Sequence, residues 1–240
     1  MSIFAIADPH LSFDENVDKP MDAFGKSWEN HAERLKKNWI DNVSECDTVI
    51  VAGDISWGLK LKEAIADLNW IDALPGRKLI FKGNHDLWWR GITKLNRMFK
   101  TLTFMQNKAA YEDGWYIFGT RGWLCPGDSN FITEDRKIYD REIMRLEMSI
   151  DDMLKQHTDT TCSGAIPRNI GVLHYPPTND KFQTSGFTKL FSEVGTSKVV
   201  YGHLHGQENF NRGFEGYMNG VEYRLVSMDR VDCKPVKIAD

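Results

Sequence analysis

The stretch KLIFKGNHD, Lys78 to Asp86, runs from a short apolar segment straight into a glycine, an amide, an imidazole and a carboxylate. A brief run of strand character that ends on chemistry-bearing side chains is the pattern of a buried parallel strand whose carboxyl end meets a ligand. The pattern recurs along the chain. Ile3 to Ala7 leads into Asp8-Pro9-His10, and Thr48 to Ala52 into Gly53-Asp54. Ile170 to Leu173 leads into His174, and Lys198 to Tyr201 into Gly202-His203-Leu204-His205. Trp115 to Phe118 is a further apolar run of the same kind.

Helical patterns lie between these runs. Trp28, Ala32, Leu35, Trp39 and Val43 recur at steps of three and four and predict an amphipathic helix. Leu61, Ile65, Leu68 and Trp70 predict a second, which Pro75-Gly76 stops. A long third carries Tyr139, Ile143, Leu146, Ile150 and Met153 and is expected to fray near Thr160 to Gly164. The run YRLVSM, Tyr223 to Met228, and the VKI near the end read as antiparallel strands. The first third is therefore βαβαβ, which predicts a parallel sheet covered by helices. No linker or repeat divides the 240 residues, so one domain over residues 1–240 is expected.

Composition removes several classes. The chain is 41% hydrophobic and 27% charged, with a net charge of −4. That excludes disorder and a disulfide-stapled miniprotein. No apolar run approaches the roughly 18 residues of a membrane span. The start, MSIFAIADPH, has neither the basic region nor the apolar length of a signal peptide. Cys46, Cys125, Cys162 and Cys233 form no CxxC pair, so a reduced, cytoplasmic protein is the simplest reading. No basic block stands out, which counts against a surface that coats nucleic acid.

Histidine is the informative residue. Of seven, five (His10, His85, His174, His203 and His205) lie where a predicted strand ends; His31 and His157 fall on helical patterns and read as ordinary surface residues. From composition, a Gly-His-x-His is expected by chance about 0.02 times and a Gly-Asn-His-Asp about 0.003 times in a chain of this length. In an open parallel sheet the carboxyl ends of the strands share one edge, so these distant residues can converge there. Asp8 with His10, and His203 with His205, face one side if the chain is extended. The glycines before Asp54, Asn84 and His203 allow close backbone approach.

The converging set, Asp8, His10, Asp54, Asn84, His174, His203 and His205, offers oxygen and nitrogen without thiolate. That mixture suits manganese, iron or zinc rather than calcium. Seven ligands are too many for one catalytic ion and suit two ions sharing a carboxylate. Two divalent cations against two ligand carboxylates leave about +2, which attracts a phosphate group even on an acidic protein.

With D-x-H, G-D, G-N-H-D, a lone H and G-H-x-H in that order from Asp8 to His205, the chain resembles the calcineurin-like metallophosphoesterases. The stretches DKPM at Asp18 to Met21, HYPP at His174 to Pro177 and GTRGW at Gly119 to Trp123 resemble a bacterial subgroup known mainly as predicted phosphohydrolases. The resemblance implies an α/β fold, a four-layer α/β/β/α sandwich of two mixed sheets flanked by helices. It implies one metal on Asp8, His10, Asp54 and His205, a second on Asp54, Asn84, His174 and His203, and a metal-bridging hydroxide that attacks phosphorus. By the same resemblance His85 supplies a proton to the leaving oxygen and Asp86 orients its ring. Protein serine/threonine phosphatases of this superfamily carry GDxVDRG at the second motif. Here it is Gly53-Asp54-Ile55-Ser56-Trp57-Gly58, which makes phosphoprotein substrates less favoured.

Other features are weighed against ordinary structural roles. Trp88 and Trp89 read first as packing and second as a platform for an aromatic ester. Arg121 and Tyr175 are candidate substrate contacts; for Arg121 a structural ion pair is an equal reading. The acidic segment Leu11 to Phe24 is a solvated loop or, following the first metal motif, a lid. The expected function is metal-dependent hydrolysis of a small phosphomonoester or phosphodiester. The alternatives are a metal-binding scaffold without turnover, or a nuclease.

Overall fold

The structure is a computed structural model that describes residues 1–160 and 168–240. Cys162 and the expected fraying beyond residue 160 lie outside the described residues. The βαβαβ pattern becomes β1 (Ile3–Ile6), α1 (His31–Asn42), β2 (Thr48–Ala52), α2 (Leu61–Asp72) and β3 (Arg77–Phe81), with the three strands parallel. A short α3 (Ile92–Leu95) leads to β4 (Leu102–Phe104), parallel to β3.

The second sheet begins with the antiparallel pair β5 (Ala109–Glu112) and β6 (Trp115–Gly119). The long α4 (Thr133–Thr160) follows, then β7 (Asn169–Val172), α5 (Gly186–Glu193), β8 (Lys198–Tyr201) and α6 (Gln207–Phe210). The hairpin of β9 (Gly216–Met218) and β10 (Val221–Leu225) ends this sheet, and β11 (Val236–Ala239) crosses back to pair antiparallel with β1. The strand orders are β11-β1-β2-β3-β4 and β5-β6-β7-β8-β10-β9.

One expectation is corrected. The Tyr223 run is antiparallel to β9 but parallel to β8, with Tyr223 opposite Val199. The chain passes through α6 to the sheet's outer edge as β9 before Asn219-Gly220, both with positive φ, turns it back beside β8.

The central strands β1, β2, β3, β6, β7 and β8 are buried on both faces along almost all their length, which is why they read as unbroken apolar runs. Ile3, Ala5, Ile50 and Leu79 meet Ile117, Ile170 and Val200 between the sheets. The alternating residues Phe4, Ile6, Val49 and Val51 pack under α1 and α2 with Leu35, Trp39 and Leu68. Phe118 and Tyr223 pack under α4 and α5 with Leu146, Phe187 and Phe191. The result is the four-layer α/β/β/α sandwich. Trp88 and Trp89 are buried in the α1/α2 layer, which is the packing role. Cys125 and Cys233 are buried free thiols and Cys46 is an exposed one. Among the described residues no helix is long and apolar enough to cross a membrane.

Candidate metal centre

Asp8, Asp54 and Asn84 stand just beyond β1, β2 and β3, and His174, His203 and His205 just beyond β7 and β8. Here the backbone departs from the extended form expected for the two x-His pairs. Asp8, His10, Asp54 and His203 all have positive φ, between 46° and 74°. Such left-handed residues cost free energy unless surrounding contacts hold them, and they concentrate at functional sites. The contacts are present: the Asp8 N–H donates to the Gly53 carbonyl at 2.9 Å and the His10 N–H to the Asp54 carbonyl at 3.0 Å. Gly83 permits the closest approach, because a Cβ there would lie 2.0 Å from Asp54 Oδ1.

The seven predicted ligands converge as two groups. Asp8, His10 and His205 each offer a donor atom within 4.8 Å of the others, and so do Asp54, His174 and His203. Asn84 Oδ1 lies 2.8 Å from His174 Nε2, which joins it to the second group. Asp54 Oδ2 lies 3.3 Å from His174 Nε2 and 3.8 Å from His10 Nε2, so one oxygen faces both groups.

The donors fit divalent cations. Asp8 is fully buried; its Oδ2 accepts the His203 backbone N–H at 2.9 Å, while Oδ1 has no hydrogen-bond partner. A buried carboxylate oxygen without a donor is costly, and a cation satisfies it. Burial lifts the Asp8 carboxyl above its usual range. Burial would lift Asp54 too, but His174, His10 and His85 outweigh it and hold that carboxyl low. Burial, then the neighbouring His174, push the His203 imidazolium down to about 3. Burial would lower His174 too, but the Asp54 and Asp8 carboxylates outweigh it and hold that ring up at about 9, so a cation bound there must displace its proton.

Further groups fix which ring nitrogen faces inward. His174 Nδ1 lies 2.9 Å from the Ala52 carbonyl. His205 Nδ1 lies 2.9 Å from Asp229 Oδ1, and the other oxygen of Asp229 accepts the Gly206 N–H at 2.9 Å. Asp229 was not among the residues singled out from the sequence, since no motif surrounds it.

Asp86 is a correction. It was expected to orient the His85 ring, yet no hydrogen bond joins the two among the described residues. Its carboxylate is fully buried and accepts backbone N–H groups from Asp54, Ile55, Ser56 and Gly83, and the Trp88 indole N–H. Burial and the charge of Asp54 push this carboxyl up. Both oxygens nevertheless face only N–H donors, so the ionised form is the one the fold accommodates. Asp86 therefore anchors the loop that presents Asp54.

His85 stands on the open side. Its backbone N–H donates to Asp54 Oδ1 at 2.8 Å, its Nε2 is 4.0 Å from Asp54 Oδ2, and its side chain is 43% exposed. The ring lies against Trp57, centroids 4.4 Å apart, and Trp57 also stacks on His10 at 4.6 Å. The two candidate substrate contacts are otherwise engaged. Arg121 is drawn to the buried Glu142 at 3.3 Å and lies over Trp123, which is the structural ion-pair role. Tyr175 is buried with its ring 4.0 Å from that of His203, bracing a ligand.

A 58-residue stretch is 47% identical to the Gene 66 protein of Mycobacterium phage L5, covering 24% of this chain and 28% of that one. The match thus spans little more than a quarter of that relative's length. Among solved structures, the AQ665 protein of unknown function from Aquifex aeolicus has the same fold, with a TM-score of 0.52 at 17% identity over 98% of this chain and 95% of that one. The phosphopantetheinyl hydrolase PptH of Mycobacterium tuberculosis gives a TM-score of 0.49 at 15% identity, over 94% and 88% of the two chains. The model of the calcineurin-like phosphoesterase family matches residues 1–207, from β1 through His203 and His205. This chain belongs to the calcineurin-like phosphoesterase family.

Proposed function

We propose that residues 1–240 act as one catalytic unit that hydrolyses a phosphomonoester or phosphodiester with two divalent cations, of manganese, iron or zinc. Asp8, His10, Asp54 and His205 hold one, and Asp54, Asn84, His174 and His203 the other. The observation that carries this reading is Asp54 Oδ2, which faces His10 on one side and His174 on the other. Two cations there would supply positive charge for a phosphoryl group and make a water acidic enough to attack it. His85 does the chain's own acid work. As the water oxygen bonds to phosphorus and the ester P–O bond breaks, His85 gives a proton to the departing oxygen.

A scaffold without turnover is disfavoured by the presence of all seven ligands together with an accessible His85. The net charge of −4 and the absence of a basic block count against a nuclease. The deciding experiment loads the purified chain with each metal in turn and screens phosphomonoesters, cyclic and linear phosphodiesters, and nucleotides. Two ions per chain by elemental analysis, with hydrolysis abolished by chelation, is the expected result. Saturation at one ion in active protein, or no turnover of any ester with two ions bound, overturns it.

A further inference from the structure

A cavity of about 330 Å³ lies beside the candidate ligand residues. Its lining joins His10, Asp54, His85, His203 and His205 to Met21, Phe24, Trp28 and Trp57, with Ser27, Gly206 and Asp229 beside them. The two tryptophans pack on the histidines: Trp28 lies 5.2 Å from His205 and Trp57 4.4 Å from His85 between ring centroids. Met21 and Trp28 are almost fully buried and therefore fixed in place. The Trp57 indole N–H donates to Met21 Sδ at 3.2 Å, so that donor is used within the lining, and Lys19 Nζ lies 5.6 Å from the Trp57 ring. Phe24 stands apart. It is 67% exposed and makes no ring contact among the described residues.

An exposed phenyl ring that lines the same cavity as His10, His85, His203 and His205 can be covered by a group held at those histidines. Aromatic rings and methionine sulfur favour planar aromatic partners over alkyl chains of similar area. The volume sits at the low end of the roughly 300–1,000 Å³ of small-molecule pockets, which fits one ring system with its phosphate. Resting on the hydrolase reading above, we infer that Met21, Phe24 and Trp28 form the leaving-group subsite and that the substrate is a phosphoester of a planar aromatic group. The segment between Leu11 and Trp28 is then the element that selects the substrate.

The test separates binding from turnover. Phosphonates keep a carbon–phosphorus bond that hydrolysis leaves intact, so manganese-loaded protein can be titrated calorimetrically with phenylphosphonate and with methylphosphonate. Phenylphosphonate should bind about tenfold more tightly. Phe24→Ala should bring the two affinities together, and Phe24→Tyr, which keeps the ring, should restore the difference. Equal affinities in the unaltered protein, binding of neither phosphonate, or a preference that survives Phe24→Ala each overturns the inference. Failure of the hydrolase reading looks different: no ester is turned over, while the aromatic preference persists.

Discussion

The carboxylate of Asp86 lies 2.9 Å from the backbone nitrogen of Asp54, thirty-two residues away in sequence. The same carboxylate also holds Ile55 and Gly83, so a single buried anion ties the turn after β2 to the turn after β3. Asp86→Asn must turn an amide NH2 toward N–H groups that need an acceptor. Leaving buried donors unpaired costs about 1–3 kcal/mol each. We expect metal-free Asp86→Asn to lose about 3 kcal/mol, a fall of roughly 6–12 °C in Tm for a chain of this size. His85→Ala should change Tm little. Equal melting of the two variants would remove the anchoring role of Asp86.

Asp86 follows His85 directly in sequence, yet neighbouring residues outside a helix tend to point apart, and here the Asp86 carboxylate is fully buried while the His85 side chain is 43% exposed. The ligand set itself was legible because each member follows a strand buried on both faces, where an apolar run stops abruptly at a polar residue. The short β4, β5 and β9 offer no such run: LTF, AAYE and GYM are three or four residues long and partly exposed. Asn219-Gly220 carries the signal of the tight hairpin between β9 and β10, but the parallel pairing of β10 with β8 is long-range and has no local signal. Asp229 was beyond local reading, since it meets His205 only because β10 lies beside β8 in the second sheet.

Asp54 should be the ligand on which metal content depends most. Its Oδ2 faces both groups, whereas His10 and His174 belong to one each. Asp54→Ala removes a bond from both ions and the negative charge between them. We expect it to lose both metals in elemental analysis, while His10→Ala and His174→Ala each weaken mainly one. Equal metal retention across the three variants would show that Asp54 does not bridge.

Asp229 acts through His205. With its Nδ1 held by this carboxylate, the imidazole turns Nε2 toward Asp8, 3.8 Å away. Outer partners of this kind typically contribute 10–100-fold in metal affinity. Asp229→Ala should weaken one of two metal-binding steps by about that factor, as measured by titrating metal-free protein, and leave the other near its original value. Asp229→Glu should recover part of the loss. Unchanged binding of both ions would make Asp229 a loop residue and nothing more.

His85 separates chemistry from binding. Its ring stands on the solvent side, against Trp57, with Nε2 4.0 Å from Asp54 Oδ2, and no hydrogen bond joins it to Asp86 among the described residues. A general acid contributes typically 10²–10⁴-fold in rate, most for leaving groups that depart poorly without a proton. Benzyl phosphate and p-nitrophenyl phosphate both carry an aromatic ring, yet only the nitrophenolate leaves readily unprotonated. His85→Ala should therefore retain both metals, lose about 10²–10⁴-fold in kcat on benzyl phosphate, and lose far less on p-nitrophenyl phosphate. Because both esters carry the ring, a difference between them reports proton transfer and not occupancy of the cavity. A uniform loss on the two esters, or the loss of a metal ion, would show that His85 serves the metals or the phosphoryl group instead of the leaving oxygen.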